Sequence, residues 1–442
     1  MGIDMTHKLE QSNKFAAGHY KEAADLALNN IDTDLDIDKS NLLATLKAGN
    51  NLFYAKDYEK SINLFDDAEN IIKYHREDTL SSTTSDYLAK IILNDSVVDY
   101  QGTITDAVMI NTYKSLNYMA SGKFSEARVE LNRAIDRQRR AKDTYAQLIS
   151  KQQDALNEKK RQKEGKSFAK TLESRQTQSI IRRNYSSLYV FKAYPDFINP
   201  FTTYLAGLYF IIDGDYTKAA SLLKETYGMM PKCEVVESDF LMVENILAGK
   251  RKKEKYVWVI YENGLGPIKK QYKVHIPVYL VSDSVTYTGI ALPYMKTRSR
   301  ATADMNILSH NKVIATTELV SDMDRVILTE FKYSYNDILQ RALLSTFVKT
   351  YAQYKIHQKN EYLGLAMSMF QFATTQADTR VWDTMPKDFQ VAKVKMPKNH
   401  KLELQAGRHN INVTLAKDAQ YSIVYVRIPT SKSKPSISVI NF

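Results

Sequence analysis

The sequence predicts an α+β protein: an N-terminal array of paired helices, then a smaller mixed α+β domain. Three observations predict it. Small and aromatic residues recur at helical spacing behind short Gly-containing breaks over residues 1–250. A charged, proline-free tract runs through 134–189. From residue 254 onward the pattern turns to β-branched and aromatic runs bounded by Gly, Asn and Pro.

The clearest element runs from Thr103 to Arg140. Val108, Thr112, Leu116 and Met119 share one helical face before the break Ser121-Gly122-Lys123, and Phe124, Ala127, Leu131 and Ala134 share another after it. Gly122 supplies the positive φ that ends a helix tightly. The aromatic after the turn fits between two helices, and the Ala residues let them approach. This is the spacing of a tetratricopeptide (TPR) second helix; an ordinary helical hairpin is the plainer reading. Recurrence favours the repeat. Gly18, Tyr20 and Ala23 carry the pattern, as do Gly49, Tyr58, Ser61, Phe65 and Ala68. Gly207, Phe210, Gly214, Tyr216, Ala219, Leu223 and Pro231 form the fullest copy. Tyr20, Tyr58, Phe124 and Tyr216 stand 38, 66 and 92 residues apart, against a period of about 34. The expected fold class is therefore α+β, with an N-terminal TPR-like α-solenoid interrupted by a charged helical hairpin insertion.

Taken in order, helices are expected at His7–Asn13, Tyr20–Asn30, Ser40–Tyr54 and Tyr58–Tyr74. Asp32, Asp34, Asp36 and Asp38 alternate like the start of a calcium loop, but Ile37 stands where Gly is needed and Leu43 where Glu is needed. A solvated linker explains them better. Residues 75–103 read as a polar loop feeding a short helix near Tyr87–Leu93. The charged insertion, about Ala134–Glu164 and Lys166–Tyr189, is rich in Lys and Arg. It reads either as an arm for a partner or anionic surface, or as a solvated helix pair laced by ion pairs. Its aromatics cluster at the far end, without the interleaving that base stacking needs, so nucleic acid is not expected.

Asn199 and Pro200 read as N-cap and first residue of the next helix. The concave faces then present Phe201, Tyr204 and Leu208 in one unit and Leu43, Leu46 and Phe53 in another; these six are the candidate partner-binding residues. They lack the cationic clamp for a carboxylate terminus. An apolar segment of another polypeptide, or the protein's own second domain, is the better occupant.

The second domain, 254–430, is expected to hold strands at Tyr256–Tyr261, Tyr272–Tyr279, Val285–Leu292 and Val313–Val320, with Val326–Leu328 adding to the sheet. A helical tract over Asp337–Phe372 follows, then strands at Phe389–Lys395, Leu402–Leu404, His409–Val413 and Tyr421–Ile428. The Ser/Lys-rich tail, 431–442, is expected to be loose. Asn263-Gly264-Leu265-Gly266 precedes Pro267 rather than a helix, so it reads as a β-turn and not a phosphate loop. Glu262, Asp378, Arg380 and Trp382 form the candidate polar site; an Asp–Arg pair locking a loop is the plainer reading. No metal spacing, nucleophile triad motif or P-loop occurs, so no catalytic residue, metal or cofactor is expected.

The chain has 442 residues, a formal net charge of +11 and one cysteine, Cys233. The charge allows contact with an anionic surface, although the basic residues are scattered apart from the insertion and Arg251-Lys252-Lys253. A lone Cys forms no internal disulfide. MGIDMTHKLEQ carries no apolar leader, and no stretch approaches ~20 apolar residues.

Four stretches, 107–138, 199–220, 259–278 and 376–397, resemble a family of uncharacterised bacterial lipoproteins with N-terminal TPRs and a C-terminal α+β domain. The resemblance implies export and acyl anchoring, hence a periplasmic, outer-membrane-associated protein of the cell envelope. This chain lacks that family's leader and anchoring Cys. The function expected from repeats and resemblance together is a non-enzymatic scaffold or adaptor. It would bind other envelope proteins, as a subunit of a large envelope machine (motor, pilus or secretion complex) or as an accessory to cell-wall synthesis. Peripheral contact with membrane or cell wall is compatible with this. The rivals are an enzyme acting on an envelope polymer through the C-terminal domain, and binding of anionic lipid or nucleic acid through 151–183.

Overall fold

The computed structural model describes residues 2–31, 41–86, 99–161, 165–185, 194, 198–250, 254–279, 285–357 and 376–442. The alternating acids Asp32–Asp38, the helix expected near Tyr87–Leu93, Arg251-Lys252-Lys253 and the end of the tract expected to reach Phe372 lie outside them. The described chain is α+β.

The helical part pairs α1 (Gly2–Ala17) with α2 (Tyr20–Leu28), α3 (Leu42–Tyr54) with α4 (Tyr58–Ser81), α5 (Ile104–Ala120) with α6 (Phe124–Arg161), and α9 (Pro200–Asp213) with α10 (Tyr216–Met229). Each pair turns the same way. A residue at positive φ stands two positions before the aromatic that opens the second helix: Gly18, Lys56, Gly122 and Gly214. Three residues into each second helix stands a small, fully buried side chain: Ala23, Ser61, Ala127 and Ala219. Gly207 lets α9 and α10 approach closely; a Cβ there would stand 2.9 Å from Leu223 Cγ. Asn199 caps α9 by accepting from Phe201 N at 3.0 Å, with Pro200 as its first residue. A last helix, α11 (Glu234–Leu247), packs on α10.

Strands β1 (Tyr256–Asn263), β6 (Glu318–Asp322), β7 (Asp388–Lys395), β10 (Tyr421–Ile428) and β11 (Ser436–Asn441) form one sheet in the order β11-β10-β1-β7-β6, with β1 and β10 parallel. Alternation decides what each face meets. Trp258, Ile260, Phe389, Ile423 and Tyr425 share one core with the helices. Val257, Val259, Ala392, Val424 and Val426 share another with a second sheet. That sheet is β5 (Lys312–Thr316), β4 (Asn306–Ser309), β8 (Lys401–Ala406) and β9 (His409–Thr414). The result is three layers: helices, central sheet, outer sheet.

A side lobe stands on its own core. The ribbon β2 (Ile268–Tyr279) and β3 (Val285–Lys296) packs on α12 (Met323–His357), the far half of α6, and two short helices, α7 (Gly165–Glu173) and α8 (Arg175–Tyr185). The charged insertion thus places Ala155, Phe168 and Ile181 in a shared core with Ile276, Leu292 and Phe347.

Three local expectations are corrected. Val326–Leu328 lies inside α12 rather than in a strand, because Asp322 Oδ1 accepts from Asp324 N at 3.0 Å and starts the helix. The run Val313–Val320 is divided between β5 and β6, which belong to different sheets. At the division, Thr317 N donates to Met305 O. The tail is not loose. β11 pairs antiparallel with β10, Ile440 is buried, and the Thr430 and Ser433 hydroxyls both donate to Ala16 O.

Candidate functional site

Two polar assemblies sit where the layers meet. The first centres on Glu262, near the end of β1 on the helix-facing side, in register with Arg427 of β10. Both side chains are fully buried. Glu262 Oε1 accepts from Tyr54 at 2.6 Å and Tyr113 at 2.7 Å, and Oε2 accepts from Tyr425 at 2.5 Å. Arg427 Nε stands 3.6 Å from Oε1, beyond hydrogen-bond reach, while its two terminal nitrogens donate to the carbonyls of Glu262, Gly264 and Thr384. Burial, then the Glu262 charge, holds the Tyr54 and Tyr113 hydroxyls well above their ordinary pKa. A buried carboxylate is tolerated only when paired and hydrogen-bonded. This one is both, so it fixes α3 and α5 to the sheet and has no open face for a substrate.

The six residues assigned to a partner surface lie at the same junction. Leu46, Phe53, Phe201, Tyr204 and Leu208 are buried and Leu43 is half-buried, all in the core shared with the sheet. Phe201 stacks on Phe389 and Phe53 packs edge-on against Tyr425. Tyr204 donates to Asp239, which also takes Lys393 and the Trp258 indole. The occupant of the inner wall is therefore the chain's own sheet.

The second assembly is a cavity of about 310 Å³ between the helical part and the side lobe. Asp378, Arg380 and Trp382 line it. Asp378 Oδ1 pairs with Arg380 Nε at 2.8 Å, the loop-locking arrangement. Glu262 is not among the lining residues, so the polar residues an enzyme would combine are not assembled in one open site. A buried chain joins the two places instead. The Trp382 indole donates to Thr384, Thr384 donates to Asn50, and Asn50 donates to Tyr54, which holds Glu262.

The other side of the cavity is built by α4, α5, α6 and α12. The start of α5 carries a capping box, in which Thr103 Oγ1 accepts from Asp106 N and Asp106 Oδ2 accepts from Thr103 N. Tyr100 donates to the same Oδ2 at 2.6 Å. Burial outweighs these bonds and pushes the Asp106 carboxyl up to about 6. Glu330 of α12 reaches across and accepts from Ile104 N at 2.7 Å and Thr105 N at 2.9 Å, occupying the helix N-terminus as an anion would. Arg76 of α4 also faces in, its pKa lowered by burial and then by Arg137.

Arg76, Asp106 and Glu330 were not singled out from the sequence. The Thr-x-x-Asp box was a readable signal; Arg76 and Glu330 sit on helices far apart in the chain. Among the described residues, no group of three His, Cys, Asp or Glu is placed to hold a metal, and no helix is long and apolar enough to cross a membrane. Comparison with protein families, curated proteins and solved structures returned no match.

Proposed function

We propose that the helix pairs are TPR-like units of an interrupted solenoid, and that the protein is a non-enzymatic scaffold or adaptor of the bacterial cell envelope. In this reading it resides in the periplasm, associated with the outer membrane, and serves either a large envelope machine or cell-wall synthesis. The observation that carries the reading is the fourfold recurrence of one hairpin: positive-φ residue, aromatic two positions on, buried small residue three further. Repeats of this kind serve protein recognition. Because the inner wall is filled by the chain's own sheet, partners engage outward surfaces. Leu241 and Leu247 on α11, and Val313 and Ile314 on β5, are exposed apolar side chains of this sort.

The test is photocrosslinking in native cells, with the crosslinking residue placed in turn at Leu241, Val313 and Phe201. The scaffold reading expects a discrete envelope-protein adduct from an outward position and none from buried Phe201. Absence of any adduct, with the chain migrating as a free monomer after gentle envelope solubilisation, refutes it.

A further inference from the structure

The interlobe cavity has a chemical character that the scaffold reading does not use. Its wall is mainly apolar, with Ile72, Ile104, Leu148, Ile149, Phe331 and Ile338 contributed by four helices. Its volume is at the small end of ligand sites, which run from roughly 300 to 1,000 Å³.

The charges around it are unequally satisfied. Asp106 is held by Tyr100 and its capping box, Glu330 by two backbone amides, and Asp378 by Arg380. The Asp337 carboxyl is bonded by Tyr145 and faces Arg341. Asp99 stands exposed at the rim. Two cations are left over. Arg76 and Lys269 line the cavity, yet neither makes a hydrogen bond or ion pair to another described residue. Arg76 is half-buried between Arg137, which Glu69 pairs, and the Glu330 carboxylate, whose charge acts on Arg76 without a hydrogen bond. Burial and Arg137 outweigh that attraction, so the guanidinium has no direct partner among the described residues. The amide site at the start of α5, the other natural place for an anion, is already taken by Glu330.

We propose that this cavity binds a small amphipathic acid, with its anionic head on Arg76 and Lys269 and its apolar body against the aliphatic wall. The volume is too small for a two-chain phospholipid, so the ligand is a free acid with one chain or a compact ring system. The site lies between the helical part and the side lobe, so an occupant would brace α4 and α6 against α12.

The test uses the full chain with two probes, 8-anilinonaphthalene-1-sulfonate and dodecanoate. The dye should bind saturably at one per folded chain, be displaced by dodecanoate, and resist displacement by dodecyltrimethylammonium. Arg76→Gln should weaken dye binding at least about tenfold, the worth of one charge-assisted hydrogen bond. Leu148→Trp, which fills the cavity, should abolish binding while leaving the unfolding midpoint unchanged or higher. Dodecanoate should also raise the melting temperature of the unmodified chain, which tests the site if Arg76→Gln fails to fold. Equal displacement by the cationic detergent, undiminished binding to Arg76→Gln, or no saturable binding overturns the proposal.

Discussion

Replacing Glu262 by Gln preserves shape and removes the charge at the helix–sheet junction. Arg427 then keeps its three carbonyl acceptors but loses its only carboxylate partner among the described residues, at 3.6 Å. At an effective dielectric near 20, attraction at that distance is on the order of 4 kcal/mol. The amide also turns one acceptor into a donor opposite a tyrosine hydroxyl that now donates to the carboxylate. Breaking a buried pair from one side costs about 3–5 kcal/mol, and that is the loss expected for Glu262→Gln. Arg427→Met should lose a similar amount, because it leaves the carboxylate without its counter-charge. The double variant should cost less than the sum by about 3 kcal/mol, since neither charge is then stranded. Urea unfolding followed by tryptophan emission suits the measurement, because Trp258 and Trp382 are both buried and both lie in the shared core. The slope with urea must stay constant for the midpoints to be read as stability. If Glu262→Gln loses under about 1 kcal/mol, or the two single losses add within ~0.5 kcal/mol, the junction is not held by this pair and the reasoning fails.

The Asp106 carboxyl is raised to about 6 from an ordinary 3.8, so the folded state holds its proton more tightly than the unfolded state. That contribution is complete below the unfolded value and is lost as pH rises through 6. Moving from pH 5 to 7.5 should therefore cost on the order of 1 kcal/mol through this group. Asp106→Asn, whose carbonyl can still accept from Thr103 and Tyr100, should remove that part of the slope in thermal melts; an unchanged slope refutes the assignment. Truncation after Thr430 removes β11 and uncovers the β10 edge. The shortened chain should lose its cooperative transition or melt at least several degrees lower, whereas an unchanged melting temperature would restore the reading of this tail as loose.

What was legible from sequence was local. Gly122 before Phe124 and Gly214 before Tyr216 signal a turn within a few residues, and the folded chain turns at both. Lys56 shows the limit of that signal. It adopts φ of 66° without being glycine, and only the register of Tyr58, Ser61 and Phe65 marks the turn. Asp378, Arg380 and Trp382 were noticed as a cluster because they are adjacent, and they do line one cavity. Glu262 reads from sequence as a member of the same polar site, which it does not join. Its partners come from residues 54, 113, 425 and 427, and no periodicity links positions so far apart.

The inner wall makes the same point in a form that bears on function. Periodicity marks Leu46, Phe53, Phe201, Tyr204 and Leu208 as side chains that avoid water, and all are buried. It does not mark which chain supplies the cover. Phe201 lies 188 residues from Phe389 and Phe53 lies 372 from Tyr425, yet such a helical array can be covered from within as readily as by another protein, because loop-closure entropy grows only logarithmically with that distance. Here the cover is internal and is reinforced by a buried charge pair that only one register of β1 against β10 provides. The helices thus act as a rigid mount for the sheet. The outer faces stay uncovered, and so does the seam with the side lobe, where Arg76 and Lys269, without ion-pair partners among the described residues, stand beside an apolar wall.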